Sequence, residues 1–228
     1  MTSRLAKVSN GILDTQADVA RGVRALQRTC PIMRRIHATA GTPAIRRRAG
    51  GFEGIARIIV GQQVSTASAN AIWGRFTAHV APLTATTLAA ESDEALRACG
   101  LSRPKIRTLR ALSAAVTEGS LDVAALEQAR DEEVHAKLTT VSGIGPWTAD
   151  VYIMFCLGRA DSFAAGDLAL QIAAQHAADL DARPNPSELS DLAERWRPWR
   201  AVAACMLWAY YPHIKAARPA AGASGRPV

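Results

Sequence analysis

The sequence predicts an all-α protein. Alanine-rich segments dominate the chain, and stretches in which β-branched residues alternate with polar residues are scarce. Alanine is the residue most favourable to helices, whereas a half-buried strand shows apolar residues at every second position. The 228 residues, of which 49% are apolar, are enough to bury a sizeable core as one or two small domains.

Helix signals follow one another along most of the chain. Helices are predicted over residues 18–39 with an interruption or kink near Pro31, 52–80 as a pair, 91–99, 103–118 after the candidate N-cap Ser102, 121–128, 131–139, 147–157 and 167–178, and as a closing pair after Pro186. The loop at residues 40–51 carries Arg46, Arg47 and Arg48. Such a run is usually solvated surface, and a phosphate contact is the alternative.

The two ends of the chain are expected to lie outside the folded core. We expect a flexible N-terminus at residues 1–14, a core at residues 15–215 and a disordered tail, rich in Ala, Gly and Pro, at residues 216–228. The net charge of +7 and the isoelectric point near 9.7 are compatible with a polyanionic partner. A merely basic soluble protein is the alternative. No signal peptide or membrane-spanning run is evident, so a cytoplasmic location is expected.

The most informative stretch is a short hairpin at residues 138–149 between two helical patterns. Gly143 and Gly145 allow backbone angles that a side chain would forbid, and Pro146 suits the first turn of a new helix. Small turn residues expose backbone N–H groups beside a helix N-terminus, which makes an anion site that fits a DNA phosphate. An ordinary turn between two packed helices is the alternative.

Three separated segments carry a resemblance to a known family. They are residues 58–65 (IIVGQQVS), the hairpin through residue 170 (GIGPWTAD to AGDLAL), and 196–200 (WRPWR) continuing to Trp208. Together they resemble the helix-hairpin-helix, or HhH-GPD, DNA glycosylases, and within them the DNA-3-methyladenine glycosylase II family. The resemblance implies two helical lobes with a cleft between them. It also implies that the N-terminal β-rich domain of some relatives is absent here.

The resemblance implies a catalytic aspartate and a pocket for a flipped base. Asp167 matches the catalytic position, where a carboxylate stabilises positive charge on the sugar, and N-capping of the following helix is the alternative or additional role. Trp147 stands where strand-cutting relatives have a nucleophilic lysine, which implies a monofunctional enzyme. Trp147 and Trp208 match pocket aromatics, whereas Val151 and Leu168 replace tyrosines of some relatives and imply a smaller pocket.

Further residues match positions that hold DNA in the family. Gln63 matches the wedge that fills the gap left by a flipped base. The alternative for Gln62 and Gln63 is a buried hydrogen bond between packed helices, and we expect it to hold for one of the two. The expected DNA-contacting residues are Gln62, Gln63, Ser65, Ser142, Gly143, Ile144, Gly145, Thr148 and Gly166.

No cofactor or divalent-metal site is expected. The four scattered cysteines lack the spacing of a zinc or iron–sulfur site. The resemblance implies only a monovalent cation, Na⁺ or K⁺, on the hairpin carbonyls of Val141 and Ile144 when DNA is bound. The leading hypothesis is a monomeric glycosylase that excises alkylated purines, such as 3-methyladenine, from duplex DNA. The alternative is a non-catalytic helix-hairpin-helix protein that binds DNA or senses lesions.

Overall fold

The computed structural model describes residues 11–217, and the side chains of 11–216. The first ten residues of the predicted flexible N-terminus, and the predicted tail from residue 218 onward, lie outside this range. Within the described range the regular secondary structure is helical, and no strand is formed. The predicted all-α class is therefore confirmed.

Twelve α-helices occur between residues 11 and 217. They are α1 (Gln16–Thr29), α2 (Pro31–Ala40), α3 (Gly51–Gly61), α4 (Thr66–His79), α5 (Ala85–Ala90), α6 (Asp93–Ala98), α7 (Arg103–Thr117), α8 (Asp131–Thr139), α9 (Pro146–Phe155), α10 (Leu168–Ala177), α11 (Pro186–Ala193) and α12 (Arg200–Ala217). Two 3₁₀ turns, Ala125–Glu127 and Glu194–Trp196, complete the described helical structure.

Most predicted helices lie where the sequence placed them, with two differences. The predicted interruption near Pro31 is confirmed, because Cys30 is extended between α1 and α2. The segment at 121–128 forms only the 3₁₀ turn Ala125–Glu127. Helix α5 was not predicted, although Thr84 and Thr87 form a reciprocal capping box at its start.

The chain divides into two compact units. The first unit consists of Met1–Ile45 and Phe163–Val228, and the second is the continuous segment Arg46–Ser162. In the first unit, α12 packs against α2, α10 and α1. The contact between α1 and α12 is tight, because a Cβ added at Gly22 would lie 2.7 Å from both Trp199 Cε3 and Val202 Cγ2. Arg200 donates to Glu194 Oε1 at 2.9 Å and so ties the start of α12 to a carboxylate.

In the second unit, α3 packs against α4, α7 and α9, and α8 packs against α9. Seven of the ten residues of α9 are buried, as its apolar sequence predicted. The arginine run at 46–48 does more than face solvent. Arg47 donates to the carbonyls of Phe155 and Cys156 at 3.3 and 2.7 Å, and the Arg48 guanidinium lies 5.6 Å from the Phe155 ring centre. A cation suits this place because the C-terminal end of α9 carries partial negative charge.

Candidate active site

The hairpin between α8 and α9 is a tight turn that packs against Thr108 of α7. Gly143 has φ +87°, and a Cβ at this position would lie 2.0 Å from Thr108 Oγ1. The N–H of Ile144 donates to the Val141 carbonyl at 3.0 Å, and both side chains are buried. Ser142, Gly143 and Gly145 are exposed. The turn therefore anchors itself through apolar side chains and leaves its small residues at the surface, beside the N-terminus of α9.

Asp167 is the N-cap of α10, so the structural alternative for this residue is confirmed. Its Oδ1 accepts from the backbone N–H groups of Ala169 and Leu170 at 2.9 and 3.0 Å. The indole N–H of Trp208 donates to the same oxygen at 3.0 Å. Three donors therefore fix the carboxylate, which lies at the positive end of the α10 dipole. All three of these bonds use Oδ1, so N-capping is compatible with a catalytic role of the carboxylate.

The four residues expected around a flipped base are distributed over both units. In the first unit, Trp208 is half-buried, and Leu168 directly after Asp167 is 53% exposed. In the second unit, Trp147 is half-buried in the first turn of α9, and Val151 is buried one turn later. Tyr152 is fully buried and accepts the Gly51 N–H at 3.1 Å, so it does not replace the aromatic missing at Val151.

Gln62 and Gln63 take different environments, as expected of adjacent residues. Gln62 donates to Thr148 Oγ1 at 2.9 Å, which confirms the packing alternative for Gln62. Gln63 is exposed and has φ +55°, a left-handed conformation that is uncommon outside glycine. The next residue, Val64, is 39% exposed. Strained, exposed residues of this kind concentrate at functional sites.

Three more expected DNA contacts lie at helix termini. Ser65 is the N-cap of α4 and accepts the Ser68 N–H at 3.2 Å. Gly166 is exposed directly before the N-cap Asp167. Thr148 differs from the other two, because its side chain is buried and its N–H donates to the Gly145 carbonyl at 3.0 Å. The polar groups of Thr148 are thus used inside the second unit.

One buried charged residue was missed by the sequence analysis. Lys105, in the first turn of α7, is only 8% exposed, and its Nζ donates to the Val60 carbonyl at 2.7 Å. Burial lowers the pKa of the Lys105 ammonium below its usual value. No motif in the sequence distinguishes this lysine from a solvated one.

The hairpin offers backbone carbonyls, not a cluster of ionisable side chains, as ligands for an ion. Among the described residues, no group of three or more His, Cys, Asp or Glu side chains is arranged to hold a metal ion. The Val141 carbonyl accepts one N–H within the turn and keeps a second lone pair, which is compatible with a monovalent cation.

No helix between residues 11 and 217 has the length and apolar character needed to cross a membrane.

Comparisons with known proteins agree with this geometry. Residues 56–198 match the model of the HhH-GPD superfamily base excision DNA repair proteins. The chain is 29% identical over 162 residues to the alkylbase DNA glycosidase-like protein mag2 of Schizosaccharomyces pombe, covering 69% of this chain and 76% of that protein. It is 34% identical over 214 residues to a probable bifunctional transcriptional activator/DNA repair enzyme AlkA of Mycobacterium tuberculosis, covering 89% of this chain but only 42% of the relative.

A solved structure shows the same fold. It is the S. pombe 3-methyladenine DNA glycosylase Mag1 in complex with abasic DNA, with a TM-score of 0.75 and 26% identity. The match covers 82% of this chain and 95% of that one. The family model spans more than half of the chain and includes the hairpin, Gln62, Gln63 and Asp167. The chain therefore belongs to the HhH-GPD superfamily of base excision DNA repair proteins.

Proposed function

We propose that the protein is a DNA glycosylase that hydrolytically excises alkylated purines of the 3-methyladenine type from duplex DNA. The observation that carries the proposal is the Asp167 carboxylate, fixed by the N–H groups of Ala169, Leu170 and Trp208. It follows the hairpin at the separation typical of the superfamily. Relatives and a structural neighbour are named as 3-methyladenine glycosylases, which supports the same substrate class.

The reaction needs a carboxylate more than it needs a strong base. The N-glycosidic bond breaks with its electron pair leaving on the purine, and positive charge develops on the sugar. The Asp167 carboxylate stabilises that charge, and water adds its oxygen to C1′ while its proton leaves to the carboxylate or to solvent. An alkylated purine that already carries positive charge leaves as a neutral base. The products are the free base and an intact abasic strand.

The second unit supplies groups suited to hold a DNA phosphate. The hairpin offers backbone N–H groups at the N-terminus of α9, and we propose that Ser142, Gly143 and Gly145 approach a phosphate there. A monovalent cation held by the carbonyls of Val141 and Ile144 would neutralise part of the phosphate charge. Such binding would appear as a dependence of DNA affinity on the identity of the added monovalent salt.

The proposed base-contacting residues differ in exposure. Trp147 and Trp208 are half-buried and Leu168 is exposed, whereas Val151 is buried. The Leu168 side chain beside Asp167 is exposed, so a bound base would bury apolar surface there. Gln63 is the proposed wedge that fills the gap left by the flipped base, and Thr148 supports Gln62 instead of contacting DNA directly.

We further propose that the enzyme is monofunctional. The indole of Trp147 has no nucleophilic amine and forms no Schiff base with the sugar. Borohydride reduction during turnover is therefore expected to leave no covalent protein–DNA adduct. A trapped adduct would contradict this part of the proposal, and its position in the chain would identify the amine.

The test of the main proposal is base release from methylated duplex DNA by wild type, Asp167→Asn and Asp122→Asn. Asn is a good N-cap, so Asp167→Asn keeps the cap and removes only the charge. Asp122 is a matched control, because its Oδ1 accepts from Ala124 and Ala125 N–H groups at 2.9 and 3.1 Å in the same way. We expect release by wild type and Asp122→Asn, and none by Asp167→Asn.

The outcomes separate the competing functions. Normal release by Asp167→Asn would contradict the catalytic assignment. No release by wild type, together with tight binding to damaged duplex, would favour the binding or lesion-sensing alternative. Affinity of Asp167→Asn for DNA is expected to match or exceed that of wild type, because removing a negative charge reduces repulsion from phosphates.

A further inference from the structure

Helix α7 contacts the two segments of the second unit that the proposed function assigns to DNA. At its first turn, Lys105 Nζ donates to the Val60 carbonyl, two residues before Gln62. One turn later, Thr108 lies directly under Gly143 of the hairpin. Residues three apart on a helix share a face, so one face of α7 supports both segments.

The contact at Val60 falls where α3 needs a donor. Val60 is the penultimate residue of α3, and the last four carbonyls of an α-helix have no partner within the helix. Burying an ammonium group is costly, and a buried Met would fill the same space without that cost. Packing therefore does not explain a buried ammonium at Lys105, whereas its hydrogen bond to the end of α3 does.

Lys105 holds the chain directly before an exposed, strained turn at Gln63. Gln62 ends α3 and is fixed from the other side by its bond to Thr148, whereas Gln63 beyond it has φ +55° and is exposed. A residue in the left-handed region keeps that conformation only when its surroundings impose it. The Lys105–Val60 and Gln62–Thr148 bonds are side-chain bonds that hold the chain immediately before Gln63.

We propose that Lys105 is a positioning residue for base flipping, which holds the end of α3 so that Gln63 enters the duplex in the correct place. This inference rests on the proposed function, because it assumes that Gln63 is the wedge. It assigns Lys105 to the opening of the base pair and not to cleavage of the glycosidic bond. Loss of the ammonium is therefore expected to slow only substrates whose base must leave a stack.

The test compares four variants with wild type. Lys105→Met removes the donor at similar length, Lys105→Gln is polar but too short to reach Val60, and Lys105→Arg restores a cationic donor. Ile106→Val is the matched control, because Ile106 is a buried neighbour on α7 and its truncation lowers stability without touching the ammonium. Flipping is read from the fluorescence of 2-aminopurine placed beside a methylated purine in duplex DNA.

Base release is measured in parallel on methylated duplex and methylated single strands, since a single strand needs no extrusion from a helix. For Lys105→Met and Lys105→Gln we expect the flipping signal and the duplex release rate to fall about tenfold or more, as a misplaced group at a reacting site does. The single-strand rate and the affinity for undamaged duplex should stay within about twofold of wild type. Lys105→Arg should recover the duplex rate, and Ile106→Val should resemble wild type.

Two results would overturn the inference. Equal losses on duplex and single strands would mean that Lys105 acts only through general stability or the chemical step. An equal duplex defect in Ile106→Val would give the same conclusion. If wild type raised the fluorescence but released no base, the proposed glycosylase activity would fail, while the role of Lys105 in flipping would still be decided by the fluorescence alone.

Discussion

Asp167 combines a structural and a chemical function in one side chain. As the N-cap it satisfies two backbone N–H groups of α10, and the same oxygen receives the Trp208 indole N–H. A carboxylate held by three donors loses little freedom when the reaction begins, which is the condition for electrostatic stabilisation of a developing positive charge. The cap therefore serves the proposed chemistry by fixing the direction of the carboxylate.

Replacing Asp167 should separate these two functions. Asp167→Ala removes the cap and is expected to lower the free energy of unfolding by about 1 kcal/mol, whereas Asp167→Asn should change it by only a few tenths. Chemical denaturation of the two variants checks this difference. Equal stability of Asp167→Ala and wild type would mean that the cap contributes nothing to α10.

Trp208 should contribute through its N–H as well as its ring. Trp208→Phe keeps an aromatic face but removes the donor to Asp167, and one charge-assisted hydrogen bond is worth about 1.5–3 kcal/mol. Single-turnover base release is expected to fall about tenfold or more. A wild-type rate in Trp208→Phe would show that the indole N–H does not contribute to base release.

At the scale of elements, the hairpin shows what local sequence determines and what it does not. The bounds of α8 and the start of the helix after Gly145 follow from Gly, Pro and acidic residues at helix ends, which act over a few positions. The bonds from Gln62 to Thr148 and from Lys105 to Val60 join residues 86 and 45 positions apart. No local pattern encodes such pairs, so Lys105 was missed and the bond between Gln62 and Thr148 was not predicted.

The two hairpin glycines provide a matched pair for a test. Gly143 has φ +87° and lies against Thr108, whereas Gly145 has φ −96° and open space where a Cβ would lie. Gly143→Ala is expected to lower the free energy of unfolding by about 1–3 kcal/mol, and Gly145→Ala to leave it within about 0.5 kcal/mol.

Both hairpin variants should weaken DNA binding if a phosphate approaches this turn. Gly145→Ala is the informative one, because a loss of affinity without a loss of stability isolates the contact with DNA. Calorimetric unfolding and a binding titration on the same preparation measure the two quantities. Unchanged affinity in Gly145→Ala would remove this residue from the proposed phosphate site.

At the scale of the whole molecule, two buried ionisable groups are expected to set the alkaline limit of stability. Burial raises the pKa of the Cys156 thiol to about 12, partly opposed by Arg48 and Arg47. Burial also raises the pKa of Tyr152 to about 12. Both groups lie in the second unit, near the buried C-terminal end of α9, where the ionised forms would lack solvation.

The protein is therefore expected to lose stability at alkaline pH. An unfolded thiol ionises near pH 9 while folded Cys156 stays neutral, so this stabilisation is complete below pH 9 and is lost as the pH rises toward 12. The loss from Cys156 alone approaches roughly 4 kcal/mol. Urea midpoints measured from pH 8 to 11 should fall more steeply for wild type than for Cys156→Ser. Parallel curves would show that Cys156 does not set the limit.

The discontinuous first unit has a consequence for synthesis of the chain on the ribosome. Helices α1 and α2 emerge first, but α10 and α12, against which α2 packs, are translated only after residue 163. At rates of 5–20 residues per second, the wait is roughly 6 to 24 s. The continuous second unit is completed within that interval. A nascent chain whose residues 1–162 have all left the ribosome is thus expected to protect Arg46–Ser162 from proteolysis while Val19, Val23 and Met33 stay accessible to chaperones.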